Sequence, residues 1–118
     1  MTINEFQTMK RFLLVLIFLV PVFNLIGQKP KVMVMEIKSE IDPRTNRYVE
    51  LALSHADNTK ADIVIIEMDT YGGLVTDAKE IVDKIMDFKK PVWVYINSDA
   101  ASAGALISIA CDSIYMSP

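Results

Sequence analysis

Residues 63–68, Ile-Val-Ile-Ile-Glu-Met, constrain the fold of this chain more than any other stretch. β-Branched residues dominate the run, and its apolar core is continuous. That pattern predicts a strand covered on both faces, as in a parallel sheet flanked by helices. The flanking segments alternate in kind. Residues 32–37 (Val-Met-Val-Met-Glu-Ile) and 92–96 (Val-Trp-Val-Tyr-Ile) read as further strands, and 113–116 begin a fourth. Between them lie helical patterns. Asp42-Pro43 opens one, with Asp42 as N-cap and Pro43 at the first helical position. Tyr48, Leu51, Ala52, His55 and Ala56 then share a face, and His55 on that face reads as a partly buried core histidine. In the next helix Leu74, Val75, Ala78, Ile81, Val82, Ile85 and Met86 recur at three- and four-residue steps. Asp77, Lys79, Glu80, Asp83, Lys84 and Asp87 face water, Lys89-Lys90 occupy the last turn, and Pro91 stops it. Asn97-Ser98-Asp99 reads as a turn, with Ser98 or Asp99 capping a small-residue helix over 100–110. The sum is an α/β chain with parallel strands.

The first 27 residues stand apart. Lys10-Arg11 precedes an apolar run over 12–27 that only Pro21 and Asn24 interrupt, with small Gly27 as a candidate cleavage position. This is the order of a signal peptide. A spanning helix needs about 20 apolar residues, so an N-terminal membrane anchor is the alternative reading. The division is therefore 1–27 as export or anchor segment and 28–118 as the folded domain. The chain carries a formal charge of -3 and becomes more acidic once Glu5, Lys10 and Arg11 are removed. It offers no electrostatic case for nucleic acid. Cys111 is the only cysteine, which excludes an internal disulfide, and no CxxC or Cys/His spacing suggests a metal. Within its apolar stretch Cys111 reads as a core thiol. No cofactor motif is present: the two Gly-rich phosphate signatures are both absent.

Two short segments carry chemistry. Asp69-Thr70-Tyr71-Gly72-Gly73 follows the second strand, and Ala100-Ala101-Ser102-Ala103-Gly104 follows the third. In open α/β sheets, sites form where strands end and helices begin. Gly72-Gly73 admits two readings: a turn that needs positive φ, or bare backbone N–H groups that approach a ligand oxygen. Ser102 likewise is either a cap or packing residue, or a nucleophile whose small neighbours admit a substrate backbone. A serine nucleophile needs a base. Asp69 suits a role in bracing the turn, and nothing in the spacing brings His55 or the helix lysines to Ser102.

Taken together these residues resemble the amino-terminal part of the NfeD family of membrane-bound serine proteases, in the ClpP/crotonase superfamily. The resemblance runs from about Val32 to Pro118. It rests on Asp69-Thr70-Tyr71-Gly72-Gly73, the amphipathic helix over 74–88, Pro91-Val92 and Ala100-Ala101-Ser102-Ala103-Gly104, in that order. It implies repeated β-α units of the ClpP/crotonase type, cut off before the fold is complete. Ser102 would be the nucleophile, and the N–H groups of Gly72, Gly73 and Ala103 the oxyanion hole. The family's base is a lysine downstream of the nucleophile, which the resemblance puts beyond Pro118, so the chain alone is expected to be inactive. Tyr71 stands where the family usually has proline, and the stretch Asn97-Ser98-Asp99 is shorter than in many members. The implied substrates are hydrophobic segments of membrane proteins, with stomatin-like proteins as partners and homo-oligomers as the full-length assembly. The implied location is exported and membrane-associated, with the protease domain on the extracytoplasmic side. Two alternatives remain open: a crotonase-like acyl-CoA-binding enzyme, and a catalytically inactive, partner-binding fragment.

Overall fold

The computed structural model describes residues 1–23 and 27–118, and the side chains of all of these except 18–23. Helix α1 spans Ile3–Phe23. It takes up the apolar run as far as Phe23, while Asn24, Leu25 and Ile26 lie outside the described residues. Phe12 through Ile17 are all exposed. Among the described residues, no helix is long and apolar enough to cross a membrane.

The rest alternates strand and helix: β1 (Val32–Ile37), α2 (Pro43–Asn58), β2 (Ile63–Thr70), α3 (Val75–Asp87), β3 (Val92–Ala100), α4 (Ala103–Ile109) and β4 (Ser113–Met116). The four strands lie side by side in chain order, all parallel. Consecutive parallel strands joined by crossovers of one hand put every helix on one face of the sheet. Burial agrees. Met35 and Ile37 of β1, Val64, Ile66 and Met68 of β2, and Val92 and Val94 of β3 are sealed beneath the helices. The opposite face is only partly covered. Val34 is 58% exposed and Tyr95 36%, and Ile63 and Ile65 are half-buried. Strand β2 is thus covered fully on one face, not on two as its apolar run predicts.

Helix α2 begins as its first residues dictate. The Asp42 carboxylate accepts from the N–H groups of Arg44 and Thr45, both at 2.9 Å. The Thr45 N–H, with the Arg44 guanidinium beside it, holds the Asp42 carboxyl below its ordinary range. The buried stripe of α2, however, is Thr45, Asn46, Val49, Leu53 and Ala56. Of the predicted face only Ala56 is fully buried, and Tyr48, Leu51 and His55 are exposed. The reason is polar. Thr45 and Asn46 are inward because their side chains find partners, which an apolar count does not register. Thr45 Oγ1 donates to the Glu40 carbonyl at 2.7 Å, and Asn46 Nδ2 donates to Asp77 and Glu80 of α3 at 3.1 and 2.6 Å. Lys84 Nζ donates to Oδ1 of the Asn46 side chain. Asp77, expected to face water, is therefore buried between the two helices. The apolar face of α3 is correspondingly narrower: Ala78, Ile81 and Ile85 are inside, whereas Leu74, Val75 and Met86 are exposed. Helix α3 ends at Asp87, so Lys89-Lys90 follow the helix, and Lys90 Nζ donates to the Ala61 carbonyl at 2.6 Å.

Cys111 packs against the core, and its Sγ lies 3.5 Å from the Ile107 carbonyl. Burial, and secondarily the charge of Asp112, push its thiol up to about 12. It stays protonated through neutral and mildly alkaline pH. Alkylation of Cys111 at pH 8 should run at least about a hundredfold slower than that of free cysteine, and urea unfolding should abolish the difference. Replacement of Ile66 by alanine in the sealed face should cost about 2–5 kcal/mol in urea unfolding. On the open face, Val34→Ala should cost about 0.5 kcal/mol or less.

Candidate active site

The second and third strands end in turns that meet. Strand β3 carries more residues than β2 toward this end: Met68 pairs with Ile96, yet Thr70 pairs with Ala100. Asn97-Ser98-Asp99 stand opposite Asp69 alone, and are bulged strand here and not the turn that their composition predicts. The Asp69 carboxylate accepts from the Asp99 N–H at 3.3 Å and braces the bulge from the neighbouring strand. The Thr70 carbonyl accepts from the Ala101 N–H at 3.0 Å. Neither Ser98 nor Asp99 caps α4, which starts only at Ala103.

Ser102 itself occupies the N-cap position but makes no capping hydrogen bond. Its hydroxyl is exposed and has no partner among the described residues. Its backbone sits at φ 52 and ψ -113, outside the regions that a side-chain-bearing residue favours. Such a conformation costs on the order of 1–3 kcal/mol and persists only where the surroundings enforce it. The surroundings here are Gly72. A Cβ on Gly72 would lie 2.8 Å from Ser102 Cβ, 3.0 Å from the Ala101 carbonyl and 3.2 Å from the Ala103 nitrogen. With φ at 110, Gly72 also has a conformation that favours glycine. Gly73 is required for a different reason, since a Cβ there would fall 2.2 Å from the Ile41 carbonyl oxygen. The Ile41 N–H donates to the Gly72 carbonyl at 2.9 Å, and the Leu74 N–H to the Ile41 carbonyl at 2.7 Å, so the link from β1 to α2 straps the glycine turn.

The N–H groups divide unequally. The Gly72 N–H, expected to be bare, donates to Thr70 Oγ1 at 3.1 Å. Among the described residues, no hydrogen bond engages the N–H of Gly73 or of Ala103. Beside the glycines opens a cleft of about 580 Å³ lined by Lys38, Glu40, Asp69, Tyr71 and Ser98 among others. Lys38 is the lysine of this cleft, and it is no base: Glu67 at 2.9 Å and Glu36 at 3.1 Å hold its ammonium above its ordinary pKa. His55, on the exposed side of α2, does not contribute to the site. Another cleft, between the C-terminal halves of α2 and α3, contains Leu53, Lys84 and Phe88 and none of these groups. No group of His, Cys, Asp and Glu side chains suited to hold a metal occurs among the described residues.

A sequence profile described as NfeD1b, N-terminal domain, matches residues 31–118. The chain belongs to the NfeD1b family. Membrane protein NfeD1b of Bacillus subtilis is 34% identical over 95 residues, which are 80% of this chain and 22% of that protein. Membrane-bound protease PH1510 of Pyrococcus horikoshii is 34% identical over 113 residues, or 93% of this chain and 26% of its own length. The chain thus spans about a quarter of these curated relatives. Among solved structures it is similar to the 1510-N membrane-bound stomatin-specific protease, in a lysine-to-alanine variant with a substrate peptide. There the TM-score is 0.71 at 33% identity, covering 78% of this chain and 43% of that one. A variant of ClpP1 from Listeria monocytogenes follows at TM-score 0.64 and 28% identity, covering 66% of this chain and 46% of that one. The fold of this NfeD1b-family domain is therefore of the ClpP-like α/β type.

Packing predicts that the glycine turn tolerates no side chain facing Ile41. Gly73→Ala should destabilise the domain by at least about 3 kcal/mol in urea unfolding, because backbone atoms cannot yield as a flexible side chain would. Tyr71→Ala, two residues away and 83% exposed, should change stability by about 0.5 kcal/mol or less.

Proposed function

We propose that this domain is the nucleophile- and oxyanion-hole-bearing part of a membrane-associated serine endopeptidase. The observation that carries the reading is Ser102: exposed, strained, without a hydrogen-bond partner, and packed on a glycine turn beside two unengaged N–H groups. A capping or packing serine has no need of that backbone conformation. The likeness to a protease whose structure holds a substrate peptide supports the same reading.

In the proposed reaction Ser102 Oγ attacks the carbonyl carbon of a scissile peptide bond, and a base takes the hydroxyl proton. The N–H groups of Gly73 and Ala103 donate to the developing oxyanion, with Gly72 shaping the turn that presents them. Each such donor is worth about 2.7–4 kcal/mol at the transition state. The tetrahedral adduct then collapses, the C–N bond breaks, and the leaving amine receives the proton from the base. Water cleaves the resulting ester by the same steps in reverse roles. The base is proposed to be a desolvated, neutral lysine from a part of the protein downstream of residue 118. Exposed apolar side chains lie close to these residues along the chain: Tyr71, which lines the cleft, and Leu74, Val75 and Leu106. They suit hydrophobic segments of membrane proteins, with a stomatin-like protein as the proposed partner. The segment over 1–27 would serve as signal or anchor and put the domain on the extracytoplasmic side.

The 118-residue chain should cleave a hydrophobic peptide no faster than its Ser102→Ala variant, and a fluorophosphonate should label it no more. Fusing to it the continuation of the P. horikoshii protease should supply the base and raise cleavage at least about a hundredfold over the Ser102→Ala fusion. Strong labelling of Ser102 in the chain alone would refute the need for an external base. Equal cleavage by both fusions would refute Ser102 as nucleophile.

A further inference from the structure

Thr70 lies between the two turns and is 3% exposed. Every part of it is used, and each part by a different segment. Its hydroxyl donates to the Ser39 carbonyl at 2.7 Å, in the link from β1 to α2. The same oxygen accepts the Gly72 N–H at 3.1 Å. Its carbonyl accepts the Ala101 N–H, one residue before Ser102. Its methyl lies against Gly104 in the first turn of α4, where a Cβ would come within 2.7 Å of Thr70 Cγ2.

We propose that Thr70 is a positioning residue that sets which glycine N–H the oxyanion hole uses. The proposal rests on the hydrolytic reading above. Its logic is geometric. The Thr70 hydroxyl fixes the peptide N–H entering Gly72, and the Ile41 N–H fixes the carbonyl leaving it. In a trans peptide the N–H points opposite to the C=O, so the Gly73 N–H must point away from Ile41. Two anchors are needed because glycine has little torsional preference of its own. With the Thr70 bond lost, the Tyr71–Gly72 plane is free to rotate while Ile41 still holds the next one, so the Gly72 N–H competes with that of Gly73 for the oxygen and the hole loses its single preorganised geometry. The side chain must also be threonine-like in two respects. Serine keeps the hydroxyl and drops the methyl, whereas valine keeps the shape and drops both hydrogen bonds.

Amide hydrogen exchange by NMR on the full chain in detergent, together with the affinity of the base-bearing fusion with the P. horikoshii continuation for a hydrophobic peptide boronic acid that bonds to a serine Oγ, separates these roles. In the wild-type chain the Gly72 amide should exchange at least about tenfold more slowly than that of Gly73. Thr70→Val should speed Gly72 exchange about tenfold relative to the Met68 amide and weaken boronate binding about tenfold, and Thr70→Ser should restore most of both. Equal exchange at Gly72 and Gly73 in the wild-type chain overturns the proposal, even if Thr70→Val does not fold. So does Thr70→Val that frees the Gly72 amide yet binds the boronate as tightly as wild type. A base-bearing fusion that takes no boronate refutes the hydrolytic reading instead, while the exchange arm still decides whether Thr70 governs Gly72.

Discussion

The contact between the bare Cα of Gly72 and the Ser102 turn is the constraint on which the rest of the site depends. With a side chain at Gly72 the two strand-to-helix turns would stand apart, and Ser102 would have no reason to leave the ordinary backbone regions. Bringing the turns together requires β3 to outrun β2, and the bulge over Asn97-Ser98-Asp99 supplies that length. It also requires the glycine turn to be held from behind, which Ile41 does through two backbone hydrogen bonds. The local conformation of Ser102 is thus the product of three segments that are distant in sequence.

The strain at Ser102 is small beside what the sheet supplies. A conformation such as its own costs on the order of 1–3 kcal/mol. Sealing one side chain such as Ile66, Val94 or Ile107 contributes about 1.5–3 kcal/mol. One or two core residues therefore offset it, and the site can be held under strain by packing alone. Charged groups near the site are mostly spent on one another. Lys38 is tied to Glu67 and Glu36, and the cluster of Asn46, Asp77, Glu80 and Lys84 joins α2 to α3. Among the described residues, the Ser102 hydroxyl and the N–H groups of Gly73 and Ala103 have no such partner.

Apolar spacing made most of the elements legible. Strand β1 runs over the predicted residues, Asp42 caps α2, and Pro91 separates α3 from β3. Apolar spacing misled where polar side chains go inside. Thr45, Asn46 and Asp77 are buried because each finds a hydrogen-bond partner across α2, α3 or the preceding link, and the real face of α2 is rotated accordingly. The continuous run in β2 overstated burial for a related reason: an apolar residue signals only that a face can be covered, and the covering helices all lie on one side.

Within the site, the residue types and their place at strand ends were readable from the chain, because turn chemistry and helix starts are local. Gly72, Gly73 and Ser102 are singled out as candidates that way, whereas Ala103 enters only through the family resemblance. Which N–H groups remain free is not local. It follows from Thr70 taking up that of Gly72, from Ile41 turning the next peptide plane, and from the contact that forces Ser102 into an unfavourable φ and ψ. The sequence by itself determined an α/β chain with a serine turn and a glycine turn at strand ends. Only the tertiary structure decided which donors they present, because a backbone N–H carries no side-chain signature and its availability depends on what has folded against it.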